Sequence, residues 1–513
     1  MIKESATSRF QLSLHNPNDF TLTFELVPSR GGRSKEHSRT LCFARNAAED
    51  GRLQAVSITE NAGGHPALSP EVLGIEIIKM GLDAIIHFSC KDKNRNQMES
   101  QLFAWDRQNL RNLLVITGDY PKKGYRGFPK PVFDLGSIHA LDLLQRMNQG
   151  ILGDSKKSAA SMLIQPTSFC RGVAVSPFKH LEAELMMQYF KLHRKVVGGA
   201  DFVITQVGFD VRKFHELLLY MQLNQLNIPV LGNVFVPNLT VTELMYRGDI
   251  PGCVIPEALY RDIRQEAKSQ DKGKKARLVR AAKLLSVLKG MGYDGAHIGG
   301  PGLSFEDLDF LLNQAEQIAE CWRDFIPELS YWPENAFYYF AKDEDSGLNL
   351  SMPTGRAAGD RTSVAYSLAL RAHSLLFSDR GLLCDAMKKT CLTLHDGRMG
   401  RVLANTEHII KFLLFECQNC GDCTLADLAF LCPQSGCAKY LFNGACGGSR
   451  DGWCEVYPGK KRCLYVRIYE RLKSHGNEET MKKGFIPPRD WSLNNTSSWV
   501  NFYLGRDHAG KKS

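Results

Sequence analysis

No stretch of this chain stays apolar for the roughly 18 residues that a helix needs to cross a bilayer. The opening residues, MIKESATSRFQLSLHN, lack the apolar core and small-residue cleavage site of a secretory leader. Both absences point to a cytoplasmic protein. Low-complexity tracts and long blocks of one charge are missing too. The net charge is only +9 over 513 residues. That balance suits anionic small molecules and gives no reason to expect nucleic acid or a membrane as partner. A glycine-rich dinucleotide fingerprint is absent after the first strand-like segment, which counts against a doubly wound open sheet. Cysteine is scarce for most of the length and then abundant. Of 15 cysteines, eight fall between Cys417 and Cys463. Cys170 and Cys321, outside that stretch, read as ordinary packing residues.

Hydrophobic residues make up 43% of the chain and charged residues 23%, enough to build the cores of two or three domains. The first 325 residues repeat one theme. A short apolar, β-branched run precedes a longer amphipathic stretch. Eight runs begin at Phe20, Ala55, Asp83, Asn112, Gly172, Asp201, Pro229 and Gly295. They are continuous rather than alternating, as parallel strands buried on both faces must be. Helices are expected at Ser38–Asp50, Pro70–Met80, Asn94–Asn109, Leu181–Val197, Val211–Leu226, Glu257–Lys289 and Ser304–Phe325. In the long Glu257–Lys289 segment, the basic run from Lys274 to Lys283 forms a solvated face, with Leu278, Ala281, Ala282 and Leu285 opposite. The pattern predicts an α/β fold, a (β/α)8 TIM barrel over 1–325. A surface-packed linker over 326–360 follows. A small helical, cysteine-rich metal-binding domain with an aromatic tail is expected over 361–513. Its helices are expected at Ser363–Phe377, Leu382–Thr393 and Arg401–Phe415.

Chemistry in such a barrel sits at the C-terminal strand ends. Those ends hold Glu25, Thr59-Glu60-Asn61, His87, Thr117-Gly118-Asp119 and Gln206. Glu25 lies among Phe24, Leu26, Val27 and Pro28. Desolvation there is expected to raise its pKa and suit it to proton donation.

The cysteines lie at metal-ligand spacing. Cys417, Cys420 and Cys423 form a C-x2-C-x2-C run, and Cys432-Pro433 resembles a ferredoxin-type fourth ligand. The eight-residue gap before Cys432 leaves Cys437, Cys446, Cys454 and Cys463 as alternatives. Eight thiolates equally make two tetrahedral zinc sites. Gly421, Gly436, Gly444, Gly447 and Gly448 would let the backbone turn tightly around a metal.

FELVPSR, VSITEN, the strand-three histidine, the strand-four Gly-Asp and KVVGGADFVITQVGFD together resemble the methylenetetrahydrofolate reductase family over roughly residues 20–300. The resemblance implies a flavoprotein of one-carbon metabolism and methionine biosynthesis. It would bind FAD or FMN and pass a hydride from NAD(P)H to 5,10-methylenetetrahydrofolate, or run in the oxidative direction. Glu25 matches the family's general acid. Asp119 matches the residue that holds folate and tunes the flavin, and Gln206 the residue on the pterin. Thr59, His87, Gly118, Ala174, His180 and Lys195 match flavin contacts, with Lys195 toward a phosphate. The chain departs from the family in places. Thr117 replaces an arginine, and Ser176-Pro177-Phe178 replaces Tyr-Pro-Glu. Gln188 replaces an aspartate, Leu239 a stacking aromatic, and AHIGGP from Ala296 the usual last strand.

Residues from about Arg356 to Lys473 resemble the C-terminal-like domain of the same family. That implies an iron–sulfur cluster or zinc and a redox partner at the cysteine-rich segment. Assembly as a homo-oligomer is also expected. The alternative reading is a flavin-free folate-binding partner of a methyltransferase, or an electron-transfer scaffold.

Overall fold

The computed structural model describes residues 8–152, 162–333, 335–354, 364–378 and 381–510. All eight expected strands form, and they close on themselves. In chain order they are β1 (Thr21–Leu26), β2 (Ala55–Ile58), β3 (Asp83–Ser89), β4 (Asn112–Ile116), β5 (Cys170–Val175), β6 (Phe202–Thr205), β7 (Val230–Phe235) and β8 (Gly295–Gly299). Every neighbouring pair is parallel, and β8 returns to β1 with Thr23 level with His297. Continuous Val, Ile and Leu runs give strands buried on both faces, and the helices between them cover the outer face.

Most expected helices form within a few residues of their expected ends. The helix Pro70–Ile78 starts on Ser69 with proline in its first turn, and Ser304 with Asp307 makes a capping box for Phe305–Gln317. One expectation is corrected. Glu257–Lys289 is two helices, Glu257–Glu266 and Lys274–Met291, because the chain turns at Lys272 and Gly273, both at positive φ. On the second, Leu278, Ala281, Ala282 and Leu285 are buried as expected. Cys321 is also corrected: it is exposed, while Cys170 is buried. Helices at Ser137–Asn148, Leu239–Arg247 and Leu464–Lys473 add to the expected set. Ser363 and residues 355–360 of the expected linker lie outside the described residues.

The barrel and the cysteine-rich segment share one buried core, which runs from the barrel helices to Leu441, Phe442, Leu464 and Tyr465. Its spine is the helix Glu182–Val197, whose side chains are buried on almost every side. The segment after the barrel packs on the helix Val211–Leu223. There the Trp332 amide donates to Asp210 and Lys213 donates to the Phe337 carbonyl at 2.6 Å. The aromatic tail returns to the barrel, with Trp491 Nε1 donating to Asp134 at 2.9 Å.

Candidate active site at the barrel mouth

Glu25 stands at the end of β1, half-buried. Across the seam where the barrel closes, His297 Nε2 on β8 lies 3.8 Å from Glu25 Oε2. Thr23 Oγ1 donates to the Ala296 carbonyl and pairs with His297 Nδ1 at 2.8 Å. His297 Nε2 thus faces the carboxyl.

The expected upward shift of Glu25 is reversed. Burial does raise its pKa, but the His297 hydrogen bond and the charges of His297 and His87 together outweigh burial and hold the carboxyl below its ordinary value. His87 itself is pushed down to about 4 by burial. It is neutral at pH 7, so its part in lowering Glu25 acts only in acid. His87 Nε2 meets Ser57 Oγ at 2.7 Å.

Asp119, after β4, accepts from the Gly63 amide at 2.9 Å. Gly118 precedes it at φ +85°, where a Cβ would strike Ser89 Oγ, so the turn that aims Asp119 requires glycine. Gln206, after β6, accepts from the Val207 amide at 2.9 Å, and its amide nitrogen lies beside Gly252. Cys253 is buried among Asp119, Glu25, Lys179 and Glu455, and burial pushes its thiol up to about 12. Two lysines supply positive charge at strand four, where Thr117 replaces the arginine. Lys91 is buried and donates to the Asn61 carbonyl, while Lys439 donates to the Gly118 carbonyl at 2.7 Å and pairs with Glu455. His297 was visible in the sequence inside AHIGGP, but its partnership with Glu25 appears only when first and last strands meet. Lys439 carried no local signal, since its contact lies 321 residues away.

The positions matched to flavin contacts are mostly committed within the chain. The Ala174 carbonyl accepts from the buried Lys195 ammonium. His180 pairs with Asp451 at 3.1 Å, and the Gly118 carbonyl is taken by Lys439. Thr59 keeps a buried hydroxyl with no hydrogen-bond partner. Over this face lies a strap of the cysteine-rich segment, residues 444–452. Lys179 donates to the Gly447 and Ser449 carbonyls, Lys191 to the Ala445 carbonyl at 2.9 Å, and the Gly452 amide donates to Glu184 at 3.0 Å. The strap is glycine-rich because it touches by its backbone. A Cβ at Gly447 would come within 3.2 Å of Gln188, and one at Gly444 within 3.0 Å of Lys191. Among these positions the buried Thr59 hydroxyl is a polar atom left for a cofactor to bond.

The eight clustered cysteines are free thiols in two sets. Cys417 and Cys420 both face Cys423 and Cys432. Cys437, Cys446, Cys454 and Cys463 line one enclosed cavity with Lys439, Glu455 and Tyr465. Gly421, Gly444 and Gly447 have the left-handed backbone that tight turns require. Gly448 is needed for space alone, because a Cβ there would overlap the Glu455 carboxyl.

The fold and this mouth define a (β/α)8 barrel with a half-buried carboxylate at its rim and a cysteine-rich cap. The chain belongs to the methylenetetrahydrofolate reductase family: the family's model, described as methylenetetrahydrofolate reductase, matches residues 10–298. A second model, methylene-tetrahydrofolate reductase C terminal, matches residues 398–492. The chain is 25% identical over 211 residues to methylenetetrahydrofolate reductase 2 of Saccharomyces cerevisiae, covering 40% of this chain and 32% of the yeast protein. It is 26% identical over 196 residues to the 5,10-methylenetetrahydrofolate reductase of Salmonella typhimurium, covering 38% and 56%. The chain thus spans about a third and about half of these two relatives. A solved Clostridium thermocellum protein described as binding two copies of 5-methyl-5,6,7,8-tetrahydrofolic acid aligns with TM-score 0.42 at 14% identity, over 61% of this chain and 100% of its own. Among the described residues, no helix is long and apolar enough to cross a membrane.

Proposed function

We propose that this chain interconverts 5,10-methylenetetrahydrofolate and 5-methyltetrahydrofolate at the barrel mouth. The observation that carries this reading is the Thr23–His297–Glu25 chain at the seam, with Asp119 and Gln206 on neighbouring strand ends. A methylene bridge between two folate nitrogens resists hydride attack until one nitrogen is protonated. Protonation opens the ring to a cationic iminium, which accepts hydride at carbon and becomes the methyl group. Glu25 gives that proton. Its resting pKa is low, but a bound pteridine excludes water and moves a proton toward the carboxyl. His297 holds and restores the proton. Asp119 and Gln206 offer acceptor and amide groups to the pterin ring. The hydride comes from NAD(P)H or another hydride donor. In the oxidative direction the same carboxyl takes the proton back, as microscopic reversibility requires. A reducing cytoplasmic setting is part of this proposal, since the clustered thiols must stay unoxidised to bind metal.

A second reading has an observation in its favour. The strap meets one of the positions matched to flavin contacts, His180 through Asp451, and Gly118 and Ala174 bond within the chain, which favours a flavin-free folate-binding partner of a methyltransferase, or an electron-transfer scaffold. The test separates the two. Full-length protein is purified anaerobically, and folate binding and turnover are measured for wild type and Glu25→Gln. The reductase reading expects folate binding kept within about twofold and turnover reduced by about 10²- to 10³-fold, the range for a lost general acid. Equal turnover removes Glu25 from the acid role. Folate binding with no turnover in wild type, across hydride donors, supports the second reading.

A further inference from the structure

The helix Gly397–Phe415 is built inside out. Its buried side chains are Glu407 and Lys411, which pair with each other at 2.8 Å. The tail holds them in place: the Ser498 amide donates to Glu407 at 3.1 Å, and Lys411 donates to the Ser498 hydroxyl. Met399, Val402, Ile409, Phe412, Leu413 and Leu414 are each more than half exposed. A helix on the outside of a globular protein ordinarily turns its apolar stripe to the core and its charges to water. Here the ion pair faces inward and the apolar stripe faces out.

The outward side chains are spaced rather than scattered. Met399, Val402, Thr406, Ile409 and Leu413 follow one another at alternating intervals of three and four residues, and all five are exposed. That is the spacing along which two helices pair. With Phe412 and Leu414 the seam exposes on the order of 700 Å² of apolar side chain, at the upper limit for a monomer's largest patch and close to the roughly 800 Å² that each partner buries in a stable complex.

The stripe reads nearly the same in both directions about Thr406. Laid antiparallel on its own copy, with the two Thr406 side chains level, it sets Met399 against the partner's Leu413. Val402 then falls within one residue of the partner's Ile409. Charge selects the direction. Exposed Arg398 and Arg401 stand near the start of the helix, and exposed Glu416 caps its end. Antiparallel pairing brings Glu416 within one turn of the partner's Arg398. Asp396, at that same end, already lies 3.0 Å from His395 Nε2. Parallel pairing would set arginine beside arginine, and like charges at facing positions are destabilising.

We propose that two copies of this chain pair antiparallel along Gly397–Phe415, in an isologous two-fold contact centred on Thr406. This goes beyond the folate reading and is independent of it, since Glu25, Asp119 and Gln206 take no part in the contact.

The test is the mass of full-length protein by sedimentation, together with cross-linking from a photo-reactive benzoylphenylalanine introduced at Leu413. Wild type is expected at twice the mass of one chain. Ile409→Glu puts a charge into the seam and is expected to weaken association by about 10²-fold or more, leaving monomers with an unchanged circular dichroism spectrum. Thr406→Leu completes the apolar seam and is expected to tighten association by about tenfold. Cross-links are expected from position 413 of one chain to the peptide around Met399 of the other; along one helix the two positions are about 21 Å apart, too far for a link within a chain. A monomeric wild type, an Ile409→Glu protein that stays dimeric, or cross-links that join 413 to 413 would each overturn the proposal. Monomeric protein that sediments with phosphatidylserine vesicles would assign the face to a membrane and overturn it as well. Where Ile409→Glu fails to accumulate, the wild-type mass and the cross-links decide. Folate turnover on the same samples reports on the barrel mouth without reporting on the pairing.

Discussion

At the residue scale, Glu25 was legible in the sequence and its environment was not. A carboxylate in FELVPS announces itself as unusual, and burial alone argues for a raised pKa. What reverses the shift is an imidazole 272 positions further along, brought level with Thr23 by the closing pair of strands. A single aligned strand cannot show which polar residue faces which across a barrel seam. The sign of the effect can be checked. His297→Phe removes the group that lowers the carboxyl and leaves burial unopposed, so the Glu25 pKa rises. The limb of the kcat profile that depends on protonated Glu25 then moves to higher pH, while Glu25→Gln in the same background removes that limb. An unmoved limb would separate His297 from the proton. Gly118 and Gly447 carry a second lesson at this scale. Gly447→Ala places a methyl at φ +96° and against Gln188. It is expected to cost about 1 kcal/mol or more of stability, read as a lower thermal midpoint with the secondary structure unchanged.

Among elements, the helix Glu182–Val197 does the most. Its sequence reads as an ordinary barrel helix, with acids in its first turn and Arg194 and Lys195 in its last. It is buried because the cysteine-rich segment lies along it, and no local pattern announced that second layer. The helix Ser137–Asn148 is tied to the tail in a similar way: buried His139 Nε2 meets the Ile486 carbonyl at 2.8 Å, and Asn443 pairs with the same peptide. Burial lowers the His139 pKa to about 4, from an ordinary value of 6.5. The folded pKa is the depressed one, so its contribution is complete above pH 6.5 and is lost as pH falls toward 4. Denaturant unfolding of wild type should therefore weaken between pH 7.5 and pH 5. His139→Gln should flatten that slope, and an unchanged slope would assign the acid sensitivity to other groups. The merged reading of Glu257–Lys289 failed for a plain reason. Both halves are amphipathic, and the turn between them rests on backbone signs at Lys272 and Gly273 that composition does not display.

For the whole molecule, eight apolar runs separated by amphipathic stretches were enough to predict the barrel, because parallel strands buried on both faces leave a pattern along the chain. The docking of the cysteine-rich segment left none. Its anchors, Lys179, Lys191, Arg194 and Lys439, are scattered basic residues in sequence and meet backbone carbonyls, which have no residue signature. The cysteine spacing raised the expectation of a metal site without announcing that one set faces the barrel. Metal should matter unevenly across the molecule. The segment 417–463 has little regular secondary structure, whereas the barrel has a continuous apolar core. Chelation is expected to expose that segment to limited proteolysis first, while circular dichroism retains the barrel's signal. Simultaneous loss of both would show that the barrel depends on the cap.

The seam between β1 and β8 also sets an order in time. Thr21 to Phe24 must wait for Gly295 to Ile298 before the barrel can close, so a growing chain holds an open, edge-exposed sheet until its eighth strand has left the ribosome. The cysteines emerge later still. The pocket lined by Cys437, Cys446, Cys454 and Cys463 is therefore completed after the barrel.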